Sequence, residues 1–247
     1  MNEKIEVILL DIGNTLIKSV EVINGEFLNL KTWEDLTVLN STYSKDIPIM
    51  ISSVKNFDRA LLSPRAITEL RSTSELPISL NYLTPETLGN DRIAAAIGAW
   101  ALFPNENSLI IDIGTCITID LLDNNGVFQG GAISPGLKMR MKAMASFTDQ
   151  LPDISHEWEK IDLKFIGKST KECLLSGVVN GISNELNGAI DTFTKDFTSI
   201  NVILTGGEAH FFESKLKKPI FAGSKIVQIG LYSTWKSKVI GSNSDWE

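Results

Sequence analysis

The chain has 247 residues, 43% hydrophobic and 21% charged, with 23 Lys and Arg against 30 Asp and Glu for a net charge of −7. That composition belongs to a globular protein large enough for one sizeable domain or two small ones. The acidic balance excludes a general nucleic-acid binder, and the two cysteines, Cys116 and Cys173, exclude a disulfide framework. Two histidines argue against a structural zinc site. The start does not read as a secretory signal, because Glu3 and Glu6 flank Lys4 and the apolar run Val7 to Leu10 stops at Asp11. The longest mostly apolar stretch, Ile93 to Phe103, is too short to span a bilayer. The expectation is a soluble, cytoplasmic protein with no membrane or nucleic-acid partner.

In chain order, Ile5–Ile12 is a β-rich run ending in the turn Gly13-Asn14-Thr15. Ile49–Val54 reads as a strand, with Pro48 just before it where a proline is tolerated. Pro64–Ser72 reads as a short helix. Asp91 to Leu102 reads as a second, with Asn90 as its N-cap and Ile93, Ile97 and Trp100 on its apolar face. Leu109–Ile113 is an apolar run ending in Gly114-Thr115, and Ile117–Leu122 is its hairpin partner. Gly130 to Gly136 forms a glycine-rich loop, and Leu137–Phe147 looks helical. Leu174, Val178, Ile182, Leu186 and Ile190 recur every four residues, which marks a long amphipathic helix. Ser169 and Glu172 have capping-box spacing at its start. Val202–Leu204 is a strand running into Thr205-Gly206-Gly207. Strands first and helices after, twice over, predict an α/β fold.

The duplication is visible in the residues. Asp11-Ile-Gly13 and Asp112-Ile-Gly114 each end an apolar strand, 101 positions apart. Such a glycine turn lets backbone N–H groups approach a phosphate, while the aspartate can hold Mg²⁺ through water. A single copy is as readily a polar hairpin turn. Two copies at equivalent places fit a polyphosphate gripped from both sides. A third signal is Tyr82-Leu-Thr84-Pro85-Glu-Thr-Leu88-Gly89-Asn90-Asp91-Arg92. Asp91 and Arg92 there read equally well as helix-end charges or as a general base and a carboxylate clamp.

Taken together, these motifs resemble the type III pantothenate kinases of the acetate and sugar kinase/Hsp70/actin superfamily. The matching pieces are Asp11 to Thr15, Thr84-Pro85 to Arg92, Asp112 to Asp120, Gly130 to Gly136 and Thr205 to Gly207. The Thr-Pro…Leu-Gly-x-Asp-Arg segment is the specific one. The resemblance implies a duplicated ribonuclease-H-like, actin-like ATPase fold of two halves, 1–103 and 104–247, with a cleft between them. It implies ATP-dependent phosphorylation of pantothenate, the first step toward coenzyme A, in a homodimer. Asp11, Ile12, Gly13, Asn14, Thr15, Leu16, Ile17, Lys18 and Thr115 would contact ATP, with Asp11 also serving Mg²⁺. Tyr82, Gly89, Asn90, Asp91, Arg92 and Thr170 would contact pantothenate, with Asp91 as proton acceptor. Asp112 would bind K⁺ or NH₄⁺.

Two other readings compete. A haloacid-dehalogenase-type phosphatase also ends its first strand in Asp, but it needs an acid two residues later, where Gly13 stands. A non-catalytic regulatory or transcription accessory relative would show decayed motifs, whereas Asp11, Asp91 and Asp112 are all present.

Overall fold

The computed structural model describes residues 4–13, 15–197, 199–217 and 220–243. The first stretch of chain gives β1 (Val7–Ile12), β2 (Ile17–Ile23), β3 (Glu26–Trp33), α1 (Leu36–Thr42), β4 (Ile49–Ser53), β5 (Ile67–Glu69), β6 (Ser79–Leu80) and α2 (Asn90–Leu102). The second gives β7 (Ser108–Ile113), β8 (Cys116–Leu122), β9 (Val127–Pro135), α3 (Leu137–Ser146), α4 (Thr170–Asp196), β10 (Asn201–Thr205), α5 (Ala209–Glu213), β11 (Phe221–Ala222) and α6 (Ile226–Asn243). No helix among the described residues is long and apolar enough to cross a membrane.

These elements form two compact units. One holds the described residues of Met1–Asn105, Leu122–Gln129 and Lys225–Glu247, and the other those of Glu106–Leu121 and Gly130–Ser224. The division at 103/104 follows motif order. The units follow packing, so α6 and the 122–129 hairpin tip fall with the first.

One sheet has the order β3-β2-β1-β4-β5, and the other runs β6-β9-β8-β7-β10-β11. Five strands of the second repeat the order of the first, and β6 is added at the edge beside β9. In each, the strand that ends in Asp-x-Gly sits at the centre with a parallel neighbour, and the register repeats too. Asp11 lies opposite Ser52, and Asp112 lies opposite Thr205. The central strands are apolar on both faces because both faces are covered: Val7 to Leu10 and Leu109 to Ile111 are all buried. In the second unit Leu174, Val178, Ile182, Leu186 and Ile190 of α4 pack on the sheet as one cluster with Leu109, Ile111 and Ile113. Ser169 caps α4, its Oγ accepting from the Glu172 N–H.

Three local expectations change. Pro64–Ser72 is no helix: Ile67–Glu69 is an edge strand parallel to β4, because Ile49 N–H donates to Ala66 O and Leu70 N–H to Ile51 O. Sheet pairing there satisfies backbone groups that a short isolated helix would leave open. Gly130 and Gly131 lie inside β9, not in a loop. Asn90 is the first helical residue of α2, and Gly89 takes the cap position.

α2 is buried almost all round, from Arg92 through Ala99. It achieves this by packing on α6 through backbone. A Cβ on Gly230 would lie 1.8 Å from Ala94 O, and one on Gly98 would lie 2.0 Å from Ile226 O. Each clash is with main chain, which cannot rotate away. Gly230→Ala should therefore destabilise the protein by about 1–3 kcal/mol, the range for overpacking. Thermal unfolding with the variant melting at or above the parent would contradict this contact.

Candidate functional site

In the first unit, β1 delivers Asp11 to a strand end between two neighbours. Lys18 on β2 and Ser52 on β4 are its register partners. Gly13 N–H donates to Leu16 O at 3.0 Å and closes the turn between β1 and β2. Burial raises the Asp11 pKa to about 6; the Asp91 charge adds to the rise and Lys18 opposes it. Asp11 Oδ1 and Ser52 Oγ are both buried without a hydrogen-bond partner among the described residues. A buried orphan carboxylate oxygen at a strand end is what an oxygen-coordinated divalent cation would satisfy, so Asp11 fits the Mg²⁺ role. Asn14 lies outside the described residues. Leu16 is exposed in the turn, and Ile12 and Ile17 are buried register partners in the core.

The start of α2 stands in the same unit. Pro85–Thr87 makes a single helical turn, and Ile93 N–H then donates to Gly89 O. The Asp91 carboxylate folds back over Gly89, so that a Cβ on Gly89 would lie 2.5 Å from Asp91 Oδ1. Any side chain there would displace the carboxylate. Arg92 N–H donates to Asp91 Oδ1 at 2.8 Å. Burial pushes the Asp91 pKa up, with the Arg92 N–H and guanidinium opposing. The Arg92 guanidinium is buried over the rings of Tyr82 and Phe128, at 5.9 and 5.7 Å. Asn90 Nδ2 donates to Ser53 O at 3.0 Å and ties α2 to the end of β4. Beside this join lies a groove of about 640 Å³, lined by Ser53, Lys55, Arg71, Thr87, Gly89 and Asn90 among others.

In the second unit, Asp112 and Thr115 bracket the turn after β7. Gly114 N–H donates to Cys116 O at 3.0 Å. Gly206, at φ 101°, passes so close that a Cβ would lie 2.5 Å from Asp112 Oδ1 and 2.4 Å from Ile113 O. Only glycine fits against the Asp112 carboxylate and the Ile113 carbonyl here, and that carbonyl also accepts the Glu208 N–H at 3.1 Å. Hard oxygen donors of this kind suit a monovalent cation. Thr170 is the first residue of α4 and is exposed.

Within the first unit the fold gathers Asp11, Lys18 and Asp91 into one electrostatic group, with Gly89, Arg92 and Tyr82 around the start of α2. Asp112, Thr115 and Thr170 belong to the second unit. Sequence reading misses Ser52, whose place beside Asp11 depends on the pairing of β1 with β4. It also misses Arg140 and Glu185, which meet through tertiary structure alone.

Comparison with known proteins shows the family and the fold. A type III pantothenate kinase family model matches residues 37–192. A type III pantothenate kinase from Cytophaga hutchinsonii is 43% identical over 91% of this chain and 96% of the relative. Another from Christiangramia forsetii is 38% identical, over 91% and 95%. Among solved structures, a Campylobacter jejuni protein described as a Baf family transcriptional activator superposes with a TM-score of 0.64 at 22% identity, over 97% of this chain and 100% of the other. The ADPNP-bound activator of the 2-hydroxyisocaproyl-CoA dehydratase from Clostridium difficile gives 0.54 at 18% identity, over 98% of each. Those two show the fold, a duplicated ribonuclease-H-like α/β architecture. The relatives show the family: the chain belongs to the type III pantothenate kinases, ATP-dependent enzymes that phosphorylate pantothenate in the first step of coenzyme A synthesis.

Proposed function

We propose that Asp91 is the general base of this kinase and that the turns at Asp11 and Asp112 hold the ATP phosphates and their cations. The observation that carries the reading is the Asp91 carboxylate, half-buried at a helix start, fixed by the Arg92 N–H and folded over a glycine. Phosphoryl transfer needs positioning and charge neutralisation more than covalent chemistry from the protein. A primary alcohol is a weak nucleophile, so a carboxylate that takes its proton helps. Burial moves Asp91 upward, toward the range where a base works best near neutral pH.

In this reading Arg92 holds the pantothenate carboxylate, with Tyr82 and Phe128 fixing its guanidinium plane. Asn90 and Gly89 set the pocket floor, and Thr170 supplies a hydroxyl to pantothenate. Asp11 to Lys18 and Thr115 contact ATP. Asp11 Oδ1 would hold Mg²⁺, which when bound neutralises charge on the transferring phosphate. Asp112 and the Ile113 carbonyl would hold K⁺ or NH₄⁺. The rival phosphatase chemistry lacks its second acid at Gly13. The loss-of-function reading has no decayed position among Asp11, Asp91 and Asp112 to support it.

A homodimer completes the pantothenate pocket in this reading. The second unit exposes Ile133, Phe147, Phe165 and Ile166, the last three more than 70%. Thr170 lies four residues beyond Ile166 on the same segment.

Three measurements check these roles. Asp91→Asn keeps the shape and removes a buried charge, so the melting temperature holds or rises while kcat falls ~10²–10⁴-fold. A fall under tenfold would return Asp91 to helix capping, a role worth about 0.3–1 kcal/mol. Activity should rise when K⁺ or NH₄⁺ replaces Na⁺, and Asp112→Asn should abolish that response; equal rates in all three salts would remove Asp112 from cation binding. Light scattering at micromolar concentration should give a dimer mass, and a fully active monomer would sink the shared pocket.

A further inference from the structure

We infer that Arg140 is a positioning residue for the nucleotide turn at Asp112–Thr115, acting through Gly136 from the far side of a four-residue clamp. The inference rests on the reading of that turn as an ATP and cation site.

The geometry lies wholly within the second unit. Gly136, the residue before α3, donates its N–H to Thr115 O at 3.1 Å. The contact is so close that a Cβ on Gly136 would lie 2.2 Å from Gly114 O and 2.6 Å from Thr115 O. The turn therefore rests directly on the Pro135-Gly136 backbone, and wherever that backbone moves, the turn follows. Arg140 fixes it from the first turn of α3. Its Nε donates to Pro135 O at 2.7 Å, and its N–H donates to Gly136 O at 3.0 Å. Its Nη2 reaches Ser134 Oγ at 3.3 Å and Glu185 Oε2 at 2.5 Å. Ser134 Oγ in turn donates to Glu185 Oε1. Glu185 stands in the middle of the 27-residue α4, the longest helix described. The guanidinium thus ties Ser134 and Pro135, the last two residues of β9, to a rigid element, and the backbone N–H of Arg140 adds the helical bond to Gly136.

Several features mark this as more than a surface ion pair. Both partners are half-buried, at 23% and 32% side-chain exposure. The bond to a charged acceptor, the bond to a carbonyl and the shared serine use the guanidinium fork in a way an ammonium cannot reproduce. Nothing in the proposed chemistry otherwise needs Arg140, Ser134 or Glu185. The clamp gives the turn the fixed donors that phosphate binding requires, without touching the ligand itself.

The test is steady-state kinetics on the full chain, with a melting temperature for each variant. Arg140→Ala should raise the half-saturating ATP and K⁺ concentrations ~10–100-fold, the usual cost of losing a group that orients a ligand-holding residue. The KM for pantothenate should stay within about twofold, because neither the start of α2 nor Thr170, more than three helical turns from Glu185 along α4, touches the clamp. Arg140→Lys keeps the charge opposite Glu185 but loses the fork, and should fall between. Should Arg140→Ala fail to fold, Arg140→Lys and Glu185→Gln carry the same comparison. A variant that melts lower with every kinetic constant unchanged, or that raises both KM values alike, overturns the inference. Thr115→Val separates the two layers of argument. If it raises half-saturating ATP and Arg140→Ala does not, the brace falls and the nucleotide turn stands. If neither raises it, the assignment of the turn itself falls.

Discussion

Two carboxylates are buried in one unit of a protein that already carries a surplus of negative charge. Asp11 loses most of its water at the end of β1, and the Asp91 charge adds to its cost. Folding alone gives no return for this, since Asp11 Oδ1 has no partner and Ser52 Oγ beside it has none either. The surrounding architecture is what makes the arrangement tolerable. β1 is locked between β2 and β4, so Asp11 cannot retreat to solvent, and Asn90 ties the start of α2 to the end of β4. Stability given up at this point is regained in the apolar centre of the sheet, and the carboxylates remain poised for cations and substrate.

The two sheets solve the same problem with different neighbours. In each, the central strand ends in aspartate and its parallel partner ends one polar residue opposite, Ser52 in one unit and Thr205 in the other. Beyond that register the halves diverge. Asp11 sits next to a helix start that supplies a second carboxylate. Asp112 sits against Gly206, which packs closely on its carboxylate. A duplicated frame has thus been specialised by what approaches the strand end, while the strand order has stayed the same.

The sequence announces the parts of this frame whose environment is uniform. β1, β7 and β10 are buried on both sides, so they read as unbroken apolar runs. α4 keeps one face on the sheet, so its four-residue period is plain. β2 and β3 escape notice because they depend on pairing: β3 is mostly exposed, and Phe27, Leu28, Leu30 and Trp33 do not fall into a two-residue alternation. α1 is signalled by Asp35, which caps Thr37 and Val38, but it is only seven residues long. The edge strand at Ile67–Glu69 exists because β4 offers unpaired backbone, which no local pattern of Pro64–Ser72 records. The site divides along the same line. Asp11, Asp91 and Asp112 sit in turns with their own glycines and can be picked out one by one. Ser52 and the Arg140–Glu185 clamp acquire meaning only from neighbours that are distant along the chain, 45 residues in the second case.

The packing of α6 on α2 sets an order of events at birth. α2 leaves the ribosome with Ala94 and Gly98 bare, and the helix that covers them begins only at Ile226. At about 5–20 residues per second, the delay is on the order of 6–25 s. During that interval the first unit has its sheet but not its closing helix, and the residues of the second unit are made, the last of them Ser224. The second unit is thus complete in sequence at Ser224, while the unit that bears Asp11 and Asp91 still waits for α6, which begins at Ile226.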